Sequence, residues 1–325
     1  MITKNYKNMK KILFLLLVAV MAVSLPAGAQ QIAVVNGSTL RQCFTLKQAV
    51  ENASNGSVIY LPAGGFQIGD TVRITKRVSI IGLNHRSKSQ NADGMTSISG
   101  NLFFDKGSDG SVVMGCYISG NVKIGYDGNA VHNIFVRYCN INAVDVKSNL
   151  CTGTTVNQCY IRSTCGFNSA PATLTHNVMS AVSGLVGGIL DHNVVTGSIS
   201  SSSTTMTNNV LMSGSASNSG PSSNNMTLNT TWGDNPVKVE AESWADVFEK
   251  PGPGISSNAS YHFKENFKEH ENNVGIYGGK SASSIKYFHD DALPPVPYVQ
   301  AKVVPESTDF DGKLGVTLTV KDGSK

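Results

Sequence analysis

A six-residue pattern of apolar and polar positions recurs through the middle of the chain. It reads apolar, any, any, Asn or Cys, any, apolar, and clear copies begin at Val136, Val156 and Leu174. Seven copies share one phase, and the central residues of consecutive copies lie 23, 20, 18, 16, 16 and 20 positions apart. Those central residues are Cys116, Cys139, Cys159, Asn177, Asn193, Asn209 and Asn229. Such recurrence predicts a repeat protein.

The alternation inside each copy is typical of strands with one buried face. We expect two strands joined by a bend, with the residue three before the centre and the residue two after it pointing inward. A spacing of 16 to 23 residues suits one coil of a β-solenoid, because a helical repeat needs about 34. The coils would stack as parallel strands about 4.8 Å apart. The central Asn or Cys is expected at the bend itself, where Asn tolerates a left-handed backbone, and the seven residues would form a vertical ladder.

The repeat and the segment before it resemble the pectin-lyase-like superfamily. The resemblance rests on the ladder, on an amphipathic run over 45–50, and on the stretches 56–64 and 77–82. It covers about residues 36–233 and implies an all-β fold, a right-handed parallel β-helix (solenoid) with an N-terminal helical cap. Such a cap shields apolar strand ends from water. We therefore assign residues 30–235 to the cap and the β-helix.

The region after Trp232 no longer follows the repeat. Residues 240–250 show helical spacing and end at the Pro-Gly-Pro-Gly sequence of 251–254. This region resembles the C-terminal segment of exported β-helix proteins from Bacteroidota. We interpret residues 236–325 as a C-terminal cap over the distal end of the solenoid, followed by a β tail.

The N-terminus has the features of a secretory signal peptide. Four lysines precede the apolar run 12–23, and the small-residue triplet Ala27-Gly28-Ala29 follows it. The run is shorter than the roughly 20 residues that a membrane-spanning helix requires. Residues 1–29 are therefore predicted to be removed. The mature chain would have no transmembrane segment and would reach the periplasm, the cell surface or the medium.

Charged residues make up only 15% of the chain, and the net charge is +4. A thin solenoid stacks equivalent positions, so like charges would repel between coils, which accounts for the low charge. Beyond the N-terminus the lysines and arginines do not cluster, so nucleic acid is not an expected partner. The sequence leaves the oligomeric state open.

In an exported chain the six cysteines could be buried thiols or could form disulfides. Because Cys116, Cys139 and Cys159 share the ladder phase, we favour buried thiols at these positions. A disulfide between stacked neighbours is also compatible with the expected spacing of about 4.8 Å. Cys151 and Cys165 form a plausible separate pair, and Cys43 has no evident partner. No CxxC sequence occurs, so no metal site is predicted.

The resemblance also implies a chemistry to look for. Lyases of this superfamily abstract a proton beside a uronate carboxylate with an Arg or Lys base, and many bind Ca²⁺ through several carboxylates. Lys123, Asp145 and Lys147 are expected to face outward on neighbouring coils and are weak catalytic candidates. One Asp does not make a calcium site. A solvated Lys–Asp pair is the simpler interpretation, and Ca²⁺ would be a cofactor only if the lyase alternative held.

A second set of candidates lies beside the ladder. His176 and His192 each precede a ladder Asn in adjacent coils, and Asp191 precedes His192. Tyr138 occupies the same repeat position further upstream. Their rings would form a column that could stack against sugars, although surface side chains at a shared repeat position would show the same pattern.

The sequence thus favours an exported β-helix that binds polysaccharide along its face without an identifiable catalytic set. This functional expectation rests mainly on fold-level analogy. A polysaccharide lyase and a structural or adhesive surface protein are the two alternatives.

Overall fold

The computed structural model describes residues 31–86, 94–126, 128–252 and 259–279, and the backbone of two strands at 297–303 and 317–322. The predicted signal peptide, 1–29, lies outside these residues. The described chain forms a parallel β-solenoid of about 8 turns, which confirms the predicted fold class. None of the helices within the described ranges combines the length and apolarity needed to cross a bilayer.

One face of the solenoid is an 11-stranded sheet, here called the first sheet. Its strands are β1 (Ile32–Asn36), β2 (Thr39–Cys43), β3 (Ser57–Leu61), β5 (Val78–Gly82), β7 (Val112–Met114), β9 (Phe135–Arg137), β11 (Thr154–Asn157), β13 (Ala172–Thr175), β15 (Ile189–Asp191), β18 (Thr205–Thr207) and β21 (Ser222–Ser223). From β3 onward all neighbours pair in parallel, one strand per coil.

The remaining strands of the coils form the second sheet, which bends partway along each long strand. They are β4 (Gly64–Ile74), β6 (Thr96–Phe104), β8 (Tyr117–Ile124), β10 (Asn140–Val146), β12 (Tyr160–Gly166), β14 (Val178–Val186), β16 (Val194–Val195), β17 (Ile199–Ser202), β19 (Val210–Leu211), β20 (Ala216–Ser217), β22 (Met226–Leu228) and β23 (Val237–Val239). In the later coils the bend separates two short strands, as in β16 and β17.

The predicted inward positions fill the interior. Residues three before and two after the centre are buried in six successive coils, as the period-two alternation requires. These residues are Val113, Ile118, Val136, Ile141, Val156, Ile161, Leu174, Met179, Leu190, Val195, Met206 and Leu211.

The ladder is present, but its last member is Asn225 and not Asn229. The side-chain oxygens of Asn193 and Asn209 accept from the side-chain nitrogens of Asn177 (3.0 Å) and Asn193 (2.9 Å). Asn209 donates in turn to Asn225 at 3.0 Å. Asn229 lies outside the file and donates to the Ala241 carbonyl oxygen. The prediction for Asn229 was wrong because the last coil places Ser222 and Thr227, which are polar, at the inward positions.

The left-handed residue of each coil is the one before the ladder residue, which corrects the expectation that the ladder residue itself occupies this conformation. The φ angle is positive at Gly115, Tyr138, Gln158, His176, His192, Asn208 and Asn224. This residue turns the chain at the corner of the coil, so the next side chain points inward and can stack. The histidines at two of these positions belong to a type that is enriched in this conformation.

All six cysteines are buried free thiols, and the disulfides considered from the sequence are not formed. Cys116, Cys139 and Cys159 continue the file upstream of the asparagines, and the Asn177 side-chain oxygen accepts from the backbone N–H of Cys159 at 2.9 Å. Burial raises the pKa of Cys165 to about 12. These side chains act as small apolar residues in the interior.

The N-terminal cap consists of the antiparallel hairpin β1–β2 and the helix α1 (Leu46–Asn52). The Thr45 hydroxyl accepts from the backbone N–H of Gln48 at 3.2 Å and so caps the helix. Leu46, Ala49 and Val50 are buried against the first coil. The cap therefore covers the apolar end of the solenoid.

The described residues 237–277 of the C-terminal region pack on the outer side of the second sheet, in addition to the distal position predicted for 236–325. Strand β23 extends the second sheet by pairing with β22. The elements after it are α2 (Trp244–Val247), β24 (Phe248–Lys250), β25 (Ser260–Phe263) and a 3-10 helix (Glu265–His270). They share a hydrophobic cluster with outward residues of the second sheet in several earlier coils. Strands β26 (Pro297–Val303) and β27 (Thr317–Asp322) pair antiparallel, and the rest of the predicted tail lies outside the described residues.

Candidate functional site

The structure brings Lys123, Asp145 and Lys147 together on the outer face of the second sheet. Lys123 and Asp145 are direct neighbours in the parallel register of β8 and β10. The Lys147 ammonium lies 2.7 Å from a carboxylate oxygen of Asp145, and both side chains are partly exposed. An exposed ion pair of this kind contributes little to stability. The stability of the fold therefore does not explain why Asp145 and Lys147 are paired here.

These residues belong to a longer row with one position per coil, here called the open row. In register order the row contains Phe103, Lys123, Asp145, Gly166, Ser183, Ser200 and Ser217. It changes from aromatic to charged to hydroxyl side chains along the solenoid axis. Because each step is one coil, the polar groups are spaced by about 4.8 Å.

Tyr126 adds an exposed aromatic ring at the first end of the open row. It lies two residues after the end of β8, is 47% exposed, and packs edge-on against Phe103 with ring centroids 5.3 Å apart. The Arg73 guanidinium lies 5.4 Å from the centre of the Phe103 ring and pairs with Asp105. Burial acts to raise the pKa of Asp105, but hydrogen bonds from Arg73, the Lys106 backbone and Asn129 together lower it. The Arg73–Asp105 pair thus contacts the Phe103 ring, and Phe103 in turn supports the ring of Tyr126.

Gly166 leaves a notch in the middle of the open row. A Cβ atom at this position would lie 3.4 Å from a carboxylate oxygen of Asp145 and 3.8 Å from the Ser183 hydroxyl. The notch is therefore lined by an acceptor on one side and a hydroxyl on the other. A sugar hydroxyl placed here could donate to Asp145 and accept from Ser183.

The second set of candidates also meets, at the corner between the sheets. The rings of His176 and His192 are parallel within 3° and their centroids lie 5.1 Å apart. His192 Nδ1 lies 2.8 Å from Asp191 Oδ2, while Thr207 and Asn208 donate to the other carboxylate oxygen. Burial opposes ionisation of Asp191, but these hydrogen bonds lower its pKa to about 2.

The C-terminal region covers part of this corner, which the sequence had predicted as a column of rings at the surface. His192 is buried, and His176 is hydrogen-bonded through Nε2 to the Gly278 carbonyl oxygen at 3.2 Å. A Cβ atom on Gly278 would lie only 2.4 Å from His192 Cδ2, so the backbone of the C-terminal region packs directly on the ring. Tyr138 occupies the same left-handed corner position as His176, two coils upstream, and burial raises the pKa of Tyr138.

Asp191 should give the protein a specific sensitivity to strong acid. Its carboxyl ionises at about pH 2 in the folded chain and at about pH 3.9 when unfolded. Since the folded chain binds the proton less well, the stabilisation is present above about pH 4 and is lost as the pH falls towards 2. We expect wild type to lose about 2 kcal/mol over this interval through Asp191.

The Asp191→Asn variant should lack this part of the acid destabilisation. Urea unfolding measured at several pH values between 2 and 5 checks the expectation. Equal pH slopes in wild type and variant would contradict it.

The sequence interpretation missed Tyr126, Phe103 and the notch at Gly166. Tyr126 stands only three residues after Lys123, so an aromatic residue just beyond a candidate strand was an available signal. The partnership with Phe103 depends on coil register, which no local pattern reveals. Among the described residues, no cluster of three or more His, Cys, Asp or Glu is arranged to hold a metal ion.

Comparisons with protein-family models, with curated proteins and with solved structures found no match to this chain. The class of protein established by the fold is a parallel β-solenoid.

Proposed function

We propose that this protein is an exported β-solenoid that binds polysaccharide along the open row. The observation that carries the proposal is the arrangement of the row itself. At the first end of the row the exposed ring of Tyr126 packs against Phe103. Lys123, Asp145 with its partner Lys147, the Gly166 notch and three serines then follow Phe103, one coil at a time.

This arrangement suits an extended glycan for three reasons. Aromatic rings pack against the apolar face of a pyranose, and Tyr126 is an exposed ring that packs edge-on against Phe103. Carboxylate, ammonium and hydroxyl groups then supply acceptors and donors for sugar hydroxyls. A linear row with one group per coil favours a ligand that is itself a linear repeat. The signal-peptide pattern and the resemblance to the pectin-lyase-like superfamily support the same proposal.

The test compares two tyrosines of equal exposure on different faces. Tyr126 is 47% exposed beside the open row, and Tyr60 is 45% exposed on the outer face of the first sheet. We expect Tyr126→Ala to weaken binding about tenfold or more, equivalent to about 1.4 kcal/mol. Tyr60→Ala should change it less than twofold.

Binding is measured by calorimetry and by affinity electrophoresis against polygalacturonate, alginate, heparin and the neutral glycan xyloglucan. Gly166→Leu, which fills the notch, should weaken binding as well. Equal loss in the Tyr126 and Tyr60 variants, or no binding to any glycan in a wider array, would overturn the proposal.

A lyase remains the second candidate because Lys123 and Asp145 do adjoin. A lyase would need an unprotonated base at the row, and Lys147 is instead paired with Asp145. The same incubations decide the question, since β-elimination yields an unsaturated product that absorbs in the ultraviolet. Such a product, lost in Lys123→Ala, would replace the binding proposal.

An adhesive role has one observation in its favour. The outer face of the first sheet carries an apolar band over its early coils, a feature often found at protein-binding surfaces. Its members are Val35, Leu40, Val58, Tyr60, Ile81, Val112, Met114 and Phe135. Silence of the glycan array together with binding to an extracellular-matrix protein that Tyr60→Ala reduces would favour this role.

A further inference from the structure

The apolar band on the first sheet is most exposed at the N-terminal end of the solenoid. Leu40 is 62% and Tyr60 is 45% exposed, and Phe44, the residue directly after β2, is 59% exposed. These are three of the six large apolar side chains that are exposed in the described part of the chain. Exposed apolar groups gathered on one face mark a surface that contacts another molecule.

The face that carries the band has a positive charge at its border and lacks a negative one. On the first sheet from β1 to β9, Arg137 is the charged residue at an outward position of the described register, and no carboxylate shares such a position. Arg137 pairs in register with Met114 of the preceding coil. Its guanidinium lies 5.0 Å from the centre of the Phe135 ring, which belongs to the band.

The net charge is divided between the two halves of the solenoid. Described residues 32–162 contain 11 Lys and Arg against 5 Asp and Glu, whereas described residues 163–279 contain 4 against 9. The band therefore lies in a half with a net charge of +6, and the later half carries −5. The summed field of such a distribution attracts the basic half, with its band, to an anionic surface.

A second copy of this chain is a poor occupant of the band. A symmetric contact through the band would bring two halves of net charge +6 together. The band crosses six strands of the first sheet. With a strand spacing of about 4.8 Å and a width of about 10 Å, its footprint is roughly 300 Å². A stable protein interface buries about 800 Å² on each partner.

A lipid surface fits both the apolar and the charged features of this face. Apolar and aromatic side chains enter the boundary between headgroups and acyl chains, where they need no partner of complementary shape. Tyrosine is enriched at this depth of a bilayer. Basic side chains near the surface add an attraction to anionic lipids.

We propose that the apolar band is a membrane-docking surface, through which the first sheet lies on an anionic phospholipid bilayer. Leu40 and Tyr60 enter the interface, and Arg137 contacts a lipid phosphate at the border of the band. The open row belongs to the second sheet, so lipid and glycan would occupy different faces. The docking does not depend on what the open row binds.

The test measures binding to extruded vesicles by flotation. Protein purified after export is used, with its N-terminus verified by mass spectrometry, because the apolar run 12–23 would itself bind lipid. Vesicles of phosphatidylcholine with one quarter phosphatidylglycerol are compared with vesicles of phosphatidylcholine alone. We expect partitioning to the anionic vesicles to be stronger by at least about tenfold. This preference should shrink as the salt concentration is raised from about 0.1 M to about 1 M.

Single variants with matched controls locate the contact. Leu40→Ala and Tyr60→Ala should each weaken partitioning by about fivefold or more, because each removes apolar area from the interface. Ile189 is the control for position, since it is also an outward residue of the first sheet and 45% exposed, but lies in the acidic half. Leu150 is the control for residue type, since it is 57% exposed and belongs to neither sheet. Ile189→Ala and Leu150→Ala should change partitioning less than twofold.

Three results would overturn the proposal. Wild type could bind neither kind of vesicle, or both kinds equally. The band variants and their controls could lose partitioning to the same extent. Alternatively, analytical ultracentrifugation could show a dimer that Tyr60→Ala dissociates, which would assign the band to a second copy. The wild-type comparison of lipids and salt needs no variant, so it decides the outcome even if a variant does not fold.

Discussion

Replacement of Asn193 by alanine should lower the free energy of unfolding by about 3 to 5 kcal/mol, because it breaks a buried hydrogen-bond network. The Asn193 side chain donates to the Leu174 carbonyl oxygen and to Asn209, and it accepts from both nitrogens of Asn177. Alanine leaves these groups buried and unpaired, and it interrupts the asparagine ladder between Asn177 and Asn209. Chemical denaturation followed by circular dichroism measures the effect.

Asn229→Gly is the matched control for the ladder. Unlike Asn193, Asn229 has a positive φ angle, which glycine adopts without strain, and its side chain is exposed. We expect a loss of no more than about 1 kcal/mol, the value of one ordinary hydrogen bond. Comparable losses of stability in Asn193→Ala and Asn229→Gly would contradict the assignment of Asn225, and not Asn229, as the last ladder residue.

The second large effect is expected for Phe248→Ala. Phe248 is fully buried where the C-terminal region meets the solenoid, with ring centroids 4.7 Å from Phe263, 5.5 Å from Trp244 and 5.7 Å from Tyr261. Removal of a buried aromatic ring costs about 3 to 5 kcal/mol. Since the ladder coils do not depend on this ring, we expect the C-terminal region to detach while the solenoid persists.

Trp244 reports this detachment directly. Its indole N–H donates to the Met212 carbonyl oxygen at 2.6 Å, so release should shift its emission to longer wavelength and raise ANS binding at neutral pH. Phe44→Ala is the control, because Phe44 is 59% exposed and its loss should change stability by no more than about 0.5 kcal/mol. Unchanged Trp244 emission in Phe248→Ala would show that the ring does not hold the region in place.

The interior of the solenoid could be predicted because strand alternation is a local property. Val156 and Ile161 point inward for reasons contained in the six residues around Cys159, and the same reasoning holds in the five other regular coils. It failed in the last coil, where Ser222 and Thr227 replace the apolar residues. There the outward Met226 was mistaken for the start of a copy, because its apolar side chain is buried by the C-terminal region instead of by the interior.

The candidate sites were less predictable for a related reason. Lys123 and Asp145 could be placed side by side, since their strands have the same phase. The support of Tyr126 by Phe103 was not foreseen, because it depends on how two coils are aligned beyond the repeat pattern. The histidine column was foreseen, but its burial was not, because the covering Gly278 lies 102 residues after His176.

By itself, the sequence determined the coil, its phase and its buried residues, since each follows from alternation over a few neighbouring positions. Only the tertiary structure decided which outward side chains meet and which are hidden. Those contacts depend on coil register and on the docking of a C-terminal region whose own sequence carries no repeat. Here tertiary packing left the polar positions of the open row accessible and placed the stacked histidines under Gly278 of the C-terminal region.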